Sequence, residues 1–166
     1  MLIEMKVSGL TLDPMTNTPI IILKDLHDRK AVPIWIGVFE ASAIVAEMEK
    51  VSFSRPMTHD LLNDVMKTLD VAITKIEIND LRNNTFFANI HLVKDGSEFV
   101  VDSRPSDAIA LALRANAPIF VDESVIEKSR NIDFGTKMAD IDDVKKEKLR
   151  DFLENLSPED FGKYKM

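Results

Sequence analysis

Two hydrophobic periods take turns along the chain and divide it into strands and helices. Ile3, Met5 and Val7 alternate with polar neighbours, the period of two that buries one face of a strand. The apolar run Ile20 to Leu23 follows a turn-rich stretch, Asp13-Pro14-Met15-Thr16-Asn17, and the two together predict a hairpin. A polar connection from Asp25 to Lys30 leads into Ala31-Val32-Pro33-Ile34-Trp35-Ile36. Pro33 has no N–H for a ladder hydrogen bond, so this strand belongs at a sheet edge or on a bulge.

From Gly37 the period lengthens. Ala41, Ile44, Val45, Met48 and Val51 share one helical stripe, which predicts an amphipathic helix of about four turns whose alanines allow close packing. Ser54-Arg55-Pro56-Met57-Thr58-His59-Asp60 interrupts the pattern, and Leu61, Leu62, Val65, Met66 and Leu69 open a second helix.

Strands return in the middle. Between Val71 and Ile78 the apolar parity changes from Ile73 to Ile76, where a bulge is expected. Phe86, Ala88, Ile90 and Leu92 lie on one strand face between two turn sequences, Asn83-Asn84 and Lys94-Asp95-Gly96. A strand from Glu98 to Val101 runs into Asp102-Ser103-Arg104-Pro105-Ser106-Asp107, and the segment Ala108 to Leu113 is apolar all round. Such a helix is normally buried. Ile119-Phe120-Val121 forms a short last strand after Pro118, and the charged segment from Asp140 to Leu156 reads as a surface helix ending before Pro158.

Hairpins with segregated helices indicate an α+β fold, a mixed and largely antiparallel sheet with packed helices in a single domain; a doubly wound sheet would need regular strand-helix alternation. The domain is expected over residues 1–130, with 131–166 as a charged helical tail. At 166 residues the chain has room for one continuous core and none for a second sizeable domain.

Composition then narrows the chemistry. Without Cys there is no disulfide, thiolate metal site or Cys nucleophile, which leaves oxygen and imidazole groups. The first residues lack the basic start and long apolar stretch of a signal peptide, and no run approaches the roughly 20 apolar residues that span a bilayer. A cytoplasmic protein without membrane contact is expected. The net charge of −7 argues against a broad non-specific nucleic-acid surface and is compatible with a local basic cleft.

One short motif occurs twice: Ser54-Arg55-Pro56 with Thr58 and Asp60, and Ser103-Arg104-Pro105 with Ser106 and Asp107. Each precedes a helix, and capping accounts for the Pro, hydroxyl and Asp residues. The arginines are different, because a cation beside a helix N-terminus opposes the dipole unless an anion compensates it. That anion is either an internal carboxylate, Asp102 or Asp60, or a bound phosphate. Asp102, Asp107 and Asp60, with Glu40 and His59, are also ligand types for a hard divalent cation such as Mg or Mn. Glu40 reads first as a favourable first-turn charge, and His59 equally as a solvated polar residue. His27 and His91 have no nearby acidic motif. No phosphate-cradling glycine loop, H-E-x-x-H helix or G-x-S-x-G elbow is present. Trp35 could stack on a base, but an apolar strand Trp fits the core better.

Three segments in order, Val32-Pro33-Ile34-Trp35-Ile36-Gly37 with Glu40-Ala41, then Arg55 to Leu62, then Asp102 to Ala112, resemble the bifunctional nuclease domain family. The resemblance runs from about Met1 to Glu127, and the tail from Leu149 to Phe161 is similar to segments that follow this domain. It implies a nuclease, a hydrolase acting on RNA or DNA. Joined to the residues above, the expectation is that Asp102 and Asp107, with Glu40 or Asp60, hold a divalent cation that activates water. Arg55 and Arg104 would bind the scissile phosphate and His59 would move a proton. The alternative is a non-catalytic regulatory module that binds an anionic ligand or a partner protein through the same arginine turns. A homo-oligomer, by default a dimer, is expected from the edge at Pro33 and the alanine-rich helix.

Overall fold

A computed structural model describes residues 1–13 and 16–130. Strands β1 (Leu2–Leu12), β2 (Pro19–Asp25) and β3 (Ala31–Trp35) form one antiparallel meander. Strands β4 (Ala72–Arg82), β5 (Thr85–Lys94) and β6 (Ser97–Ser103) form another. The short strand β7 (Ile119–Asp122) joins them, antiparallel to β1 and parallel to β4, in a seven-stranded mixed sheet of order β3-β2-β1-β7-β4-β5-β6. The helices are α1 (Val38–Met48), α2 (Thr58–Thr68), α3 (Pro105–Ala115) and α4 (Glu123–Ser129). The fold is α+β, as the periodicity indicates.

Local chemistry explains most of these elements. β3 is an edge strand, where Pro33 disturbs no central ladder. Asn83 and Asn84 both have positive φ, as do Asp95 and Gly96, the geometry of tight hairpin turns whose twist matches the strands they join. The expected bulge in β4 lies between Ile73 and Lys75, and a second follows between Ile78 and Asp80.

α1 is shorter than its hydrophobic stripe. It stops at Met48 because Lys50 enters the left-handed region at φ 53°, and the N–H groups of Lys50 and Val51 close back on Glu47 and Ala46. This Schellman ending usually uses Gly, so the lysine concealed it. α2 ends the same way at Asp70, φ 56°, with Val71 N–H on Met66 O.

The core face of the sheet carries Met5, Ile76, Ile78, Ala88, Ile90, Ile119 and Val121. α3 packs against β4 and β5 on one side and against α1 and α2 on the other, so Ala108 to Ala112 are all buried. Fully burying Ile109 or Leu111 contributes about 1.5–3 kcal/mol each. α2 has the opposite character: its buried residue is Asn63, while Leu61, Leu62, Val65 and Leu69 face solvent. Short α4 has too few turns for a periodic signal in the sequence. It is capped by the Asp122 carboxylate, which accepts from Ser124 N–H at 2.9 Å, and tied down by Lys30–Glu123 and Lys128–Asp80 pairs. The expected helix from Asp140 to Leu156, and with it the tail 131–166, lies outside the described residues. Among those described, no helix is long and apolar enough to cross a membrane.

Candidate active site

Each Ser-Arg-Pro turn delivers the chain to a helix start. Arg104 is the N-cap of α3 and Pro105 its first residue, where a missing N–H costs nothing. At α2 the N-cap is Met57, and its amide donates to the Asp60 carboxylate at 3.0 Å, the acidic half of a capping box. The two helix starts face each other. His59 Nε2 of α2 lies 2.9 Å from Asp107 Oδ1 of α3.

Arg104 completes this cluster and joins it to α1. Its Nε and NH2 donate to the two Asp107 oxygens at 2.8 and 3.2 Å, and its NH1 donates to Glu40 Oε1 at 2.9 Å. Glu40 folds back over the start of α1, and Gly37 makes room for it: a Cβ there would collide with the Glu40 carboxylate. The hydrogen bond to Asp107, followed by that to Glu40, pushes the Arg104 pKa up. For Asp107, burial pushes the carboxyl upward, but the Arg104 and His59 hydrogen bonds outweigh it and hold the group below its ordinary range. Asp107 is therefore an ionised acceptor at neutral pH.

Behind the cluster lies Arg114, which is not part of the repeated turn. Arg114, with only 5% of its side chain exposed, places Nε 2.6 Å from Asp60 Oδ1. Its other nitrogens donate to Ala110 O at 2.8 Å and Ala43 O at 3.0 Å. One guanidinium thus ties α1, α2 and α3 together. A charged residue in an otherwise apolar helix has to find a carboxylate, and that was the available signal. Burial raises the Asp60 carboxyl, yet the Arg114 and Met57 hydrogen bonds bring it net below its ordinary value. Both Asp60 oxygens are engaged, so Asp60 fixes the position of α2 and does not line the cleft.

The cleft has a volume of about 320 Å³ and is lined by Phe39, Glu40, Ser42, Ala43, Ala46, Phe53, Met57, Thr58, His59, Arg104, Asp107 and Arg114. It brings together four of the residues singled out in the sequence: Glu40, His59, Arg104 and Asp107. Two others are elsewhere. Arg55 is exposed in the α1–α2 connection and is not part of the lining. Asp102 on β6 pairs with Asn89 of β5, whereas its neighbour Ser103 pairs with the fully buried Ala88. Since side chains alternate along a strand, Asp102 projects from the sheet face opposite the helices, and it does not share a site with Asp107. Among the described residues no group of three or more acidic or histidine side chains is arranged to hold a metal ion. The cleft carboxylates Glu40 and Asp107 are engaged by Arg104 and His59.

Comparison with known proteins agrees with the motifs. Residues 21–133 match the bifunctional nuclease domain. The chain is 34% identical over 164 residues to an uncharacterized protein of Mycobacterium tuberculosis, a match that takes in 95% of this chain and 97% of the other. It is 26% identical over 110 residues to Bifunctional nuclease 1 of Oryza sativa subsp. japonica, with 63% of this chain and 33% of the plant protein covered. Against Bifunctional nuclease 1 of Arabidopsis thaliana the identity is 30% over 110 residues, covering 63% and 34%. The chain belongs to the bifunctional nuclease domain family.

Proposed function

We propose that this protein is a nuclease that hydrolyses RNA or DNA phosphodiesters in the cleft between α1, α2 and α3. The observation that carries the reading is the continuous chain Glu40–Arg104–Asp107–His59, which places an oriented imidazole beside a guanidinium at one cleft wall. An ionised Asp107 can only accept, so His59 Nε2 carries the proton and Nδ1 keeps its lone pair. Among the described residues Nδ1 has no partner. His59 then acts as general base toward the attacking water or hydroxyl, and the resulting imidazolium can return a proton to the leaving oxygen as the P–O bond breaks.

Arg104 supports the same reaction. Three of the five N–H donors of a guanidinium are engaged with Asp107 and Glu40, which leaves two for phosphate oxygens. A phosphate held there gains charge-assisted hydrogen bonds that strengthen as negative charge builds in the transition state. In a chain of net charge −7, a pre-oriented arginine is a more economical phosphate anchor than a broad basic surface. A cytoplasmic location and self-association form part of the same proposal.

The test is cleavage of short single-stranded RNA and DNA by the wild type and His59→Ala, with added Mg²⁺ or Mn²⁺ and with a chelator. Removing a general base costs roughly 10²–10⁴-fold, whereas a contaminating nuclease is indifferent to the substitution. Loss of wild-type cleavage on chelation would support the divalent cation expected from the sequence. Oligonucleotide binding without cleavage by either protein would favour the non-catalytic module instead.

A further inference from the structure

The charged wall accounts for only part of the cleft. Beside it the lining is apolar, formed by Phe39, Ala43, Ala46, Phe53 and Met57. Phe39 is the anomaly among them. It occupies the first turn of α1 directly before Glu40, yet it is 82% exposed, more than any other large apolar residue described apart from Met1. A core role does not explain a phenylalanine held in water at the rim of a cleft, next to the carboxylate that positions Arg104.

We infer that Phe39 is a stacking platform for an unpaired nucleobase, and that the cleft therefore selects single-stranded over duplex nucleic acid. The inference rests on the nuclease reading above and adds the substrate class. A nucleotide has a charged end and a flat aromatic end, and the cleft offers matching surfaces: two free guanidinium donors at Arg104, and an exposed ring one residue from the arginine's partner Glu40. A volume of about 320 Å³ is at the low end for ligand pockets and suits a single nucleotide. A base still paired in a duplex presents its edge, not its face, and cannot stack on a side chain without first being unstacked. Stacking on an aromatic residue is tolerant of sequence because every base has a π-face. The platform selects strandedness and leaves base identity open.

Phe39 on this account is a positioning residue, and its substitution separates KM from kcat. The probes are a fluorescein-labelled ten-nucleotide single-stranded RNA, the same strand with a run of abasic residues, and a blunt duplex. Wild type is expected to bind the single strand at least tenfold more tightly than the duplex or the abasic strand. Phe39→Ala should weaken single-strand binding and raise KM by about five- to a hundredfold, with kcat and melting temperature held, and Phe39→Trp should restore both. For the abasic strand, wild type and Phe39→Ala should be alike. Unchanged single-strand affinity in Phe39→Ala, or equal binding of abasic and normal strands by wild type, would overturn the inference while leaving the nuclease reading in place. Base-dependent binding that is lost in Phe39→Ala, without cleavage by the wild type, would remove the nuclease reading and keep the platform. Absence of both binding and cleavage would remove the two together.

Discussion

His59 Nε2 and Asp107 Oδ1 lie 2.9 Å apart, the point at which the first turns of α2 and α3 touch. Because Asp107 is held in its ionised form, the contact sets the tautomer of the imidazole. Nitrogen-15 NMR of the neutral ring in labelled protein should show Nε2 protonated and Nδ1 bare. A ring protonated at Nδ1 would remove His59 as the base described here.

Arg104 separates anion recognition from structural pairing. Its side chain is 63% exposed, and exposed ion pairs contribute about 0–1 kcal/mol. Arg104→Lys keeps the charge but loses the planar fork. Melting temperature should move by no more than a few degrees, while oligonucleotide affinity falls by about 1.5–3 kcal/mol, the size of a hydrogen bond to a charged group. Stability loss with unchanged affinity would make the pairs with Glu40 and Asp107 purely structural.

The Arg114–Asp60 pair should behave in the opposite manner. Asp60→Ala leaves a guanidinium that is only 5% exposed without its partner, and breaking such a pair costs about 3–5 kcal/mol. Part of the pH dependence follows from the lowered Asp60 and Asp107 carboxyls, beside those of Asp25, Asp80, Asp122 and Glu123. A depressed folded-state pKa contributes stability above the ordinary value of 3.8, and the contribution is lost as pH falls through the lowered value. Thermal stability should hold down to about pH 4 and decline below it, and Asp60→Asn should flatten that acid limb. A variant that keeps the full acid dependence would place its origin elsewhere.

The outward stripe Leu61, Leu62, Val65 and Leu69 on α2 bears on self-association. Apolar side chains clustered on an exposed helix face mark interaction surfaces. Light scattering is expected to give twice the 18.7 kDa chain mass, and Leu61→Glu with Val65→Glu should return it to one. A monomeric wild type at micromolar concentration would rule out a dimer through this face.

Much of this arrangement was readable from particular residues. The parity change between Ile73 and Ile76 located a bulge, Pro33 an edge strand, and Phe86, Ala88, Ile90 and Leu92 the core face of β5. The insertion of β7 between β1 and β4 was not readable, because pairing across the whole chain leaves no local period. Of the site, the repeated turn singled out His59, Arg104 and Asp107 at two helix starts, and Glu40 stood out as a first-turn carboxylate, whereas the way the two starts face each other is set by tertiary packing that leaves no local pattern. Asp102 was misleading for a physical reason. Phe99, Val100 and Val101 are all exposed on β6, so three consecutive apolar residues hide the strand's parity, and proximity in sequence to Asp107 suggested a shared site that alternation excludes.

That difference between Asp107 and Asp102 tests whether phosphodiester hydrolysis takes place in the cleft on the helical side of the sheet. Single-turnover cleavage of a single-stranded RNA should be measured for wild type, Asp107→Ala and Asp102→Ala purified in parallel. Asp107→Ala, which removes the group that orients His59, should lose at least about a hundredfold, and Asp102→Ala should keep the wild-type rate. Equal rates in all three, or a loss confined to Asp102→Ala, would contradict hydrolysis in this cleft.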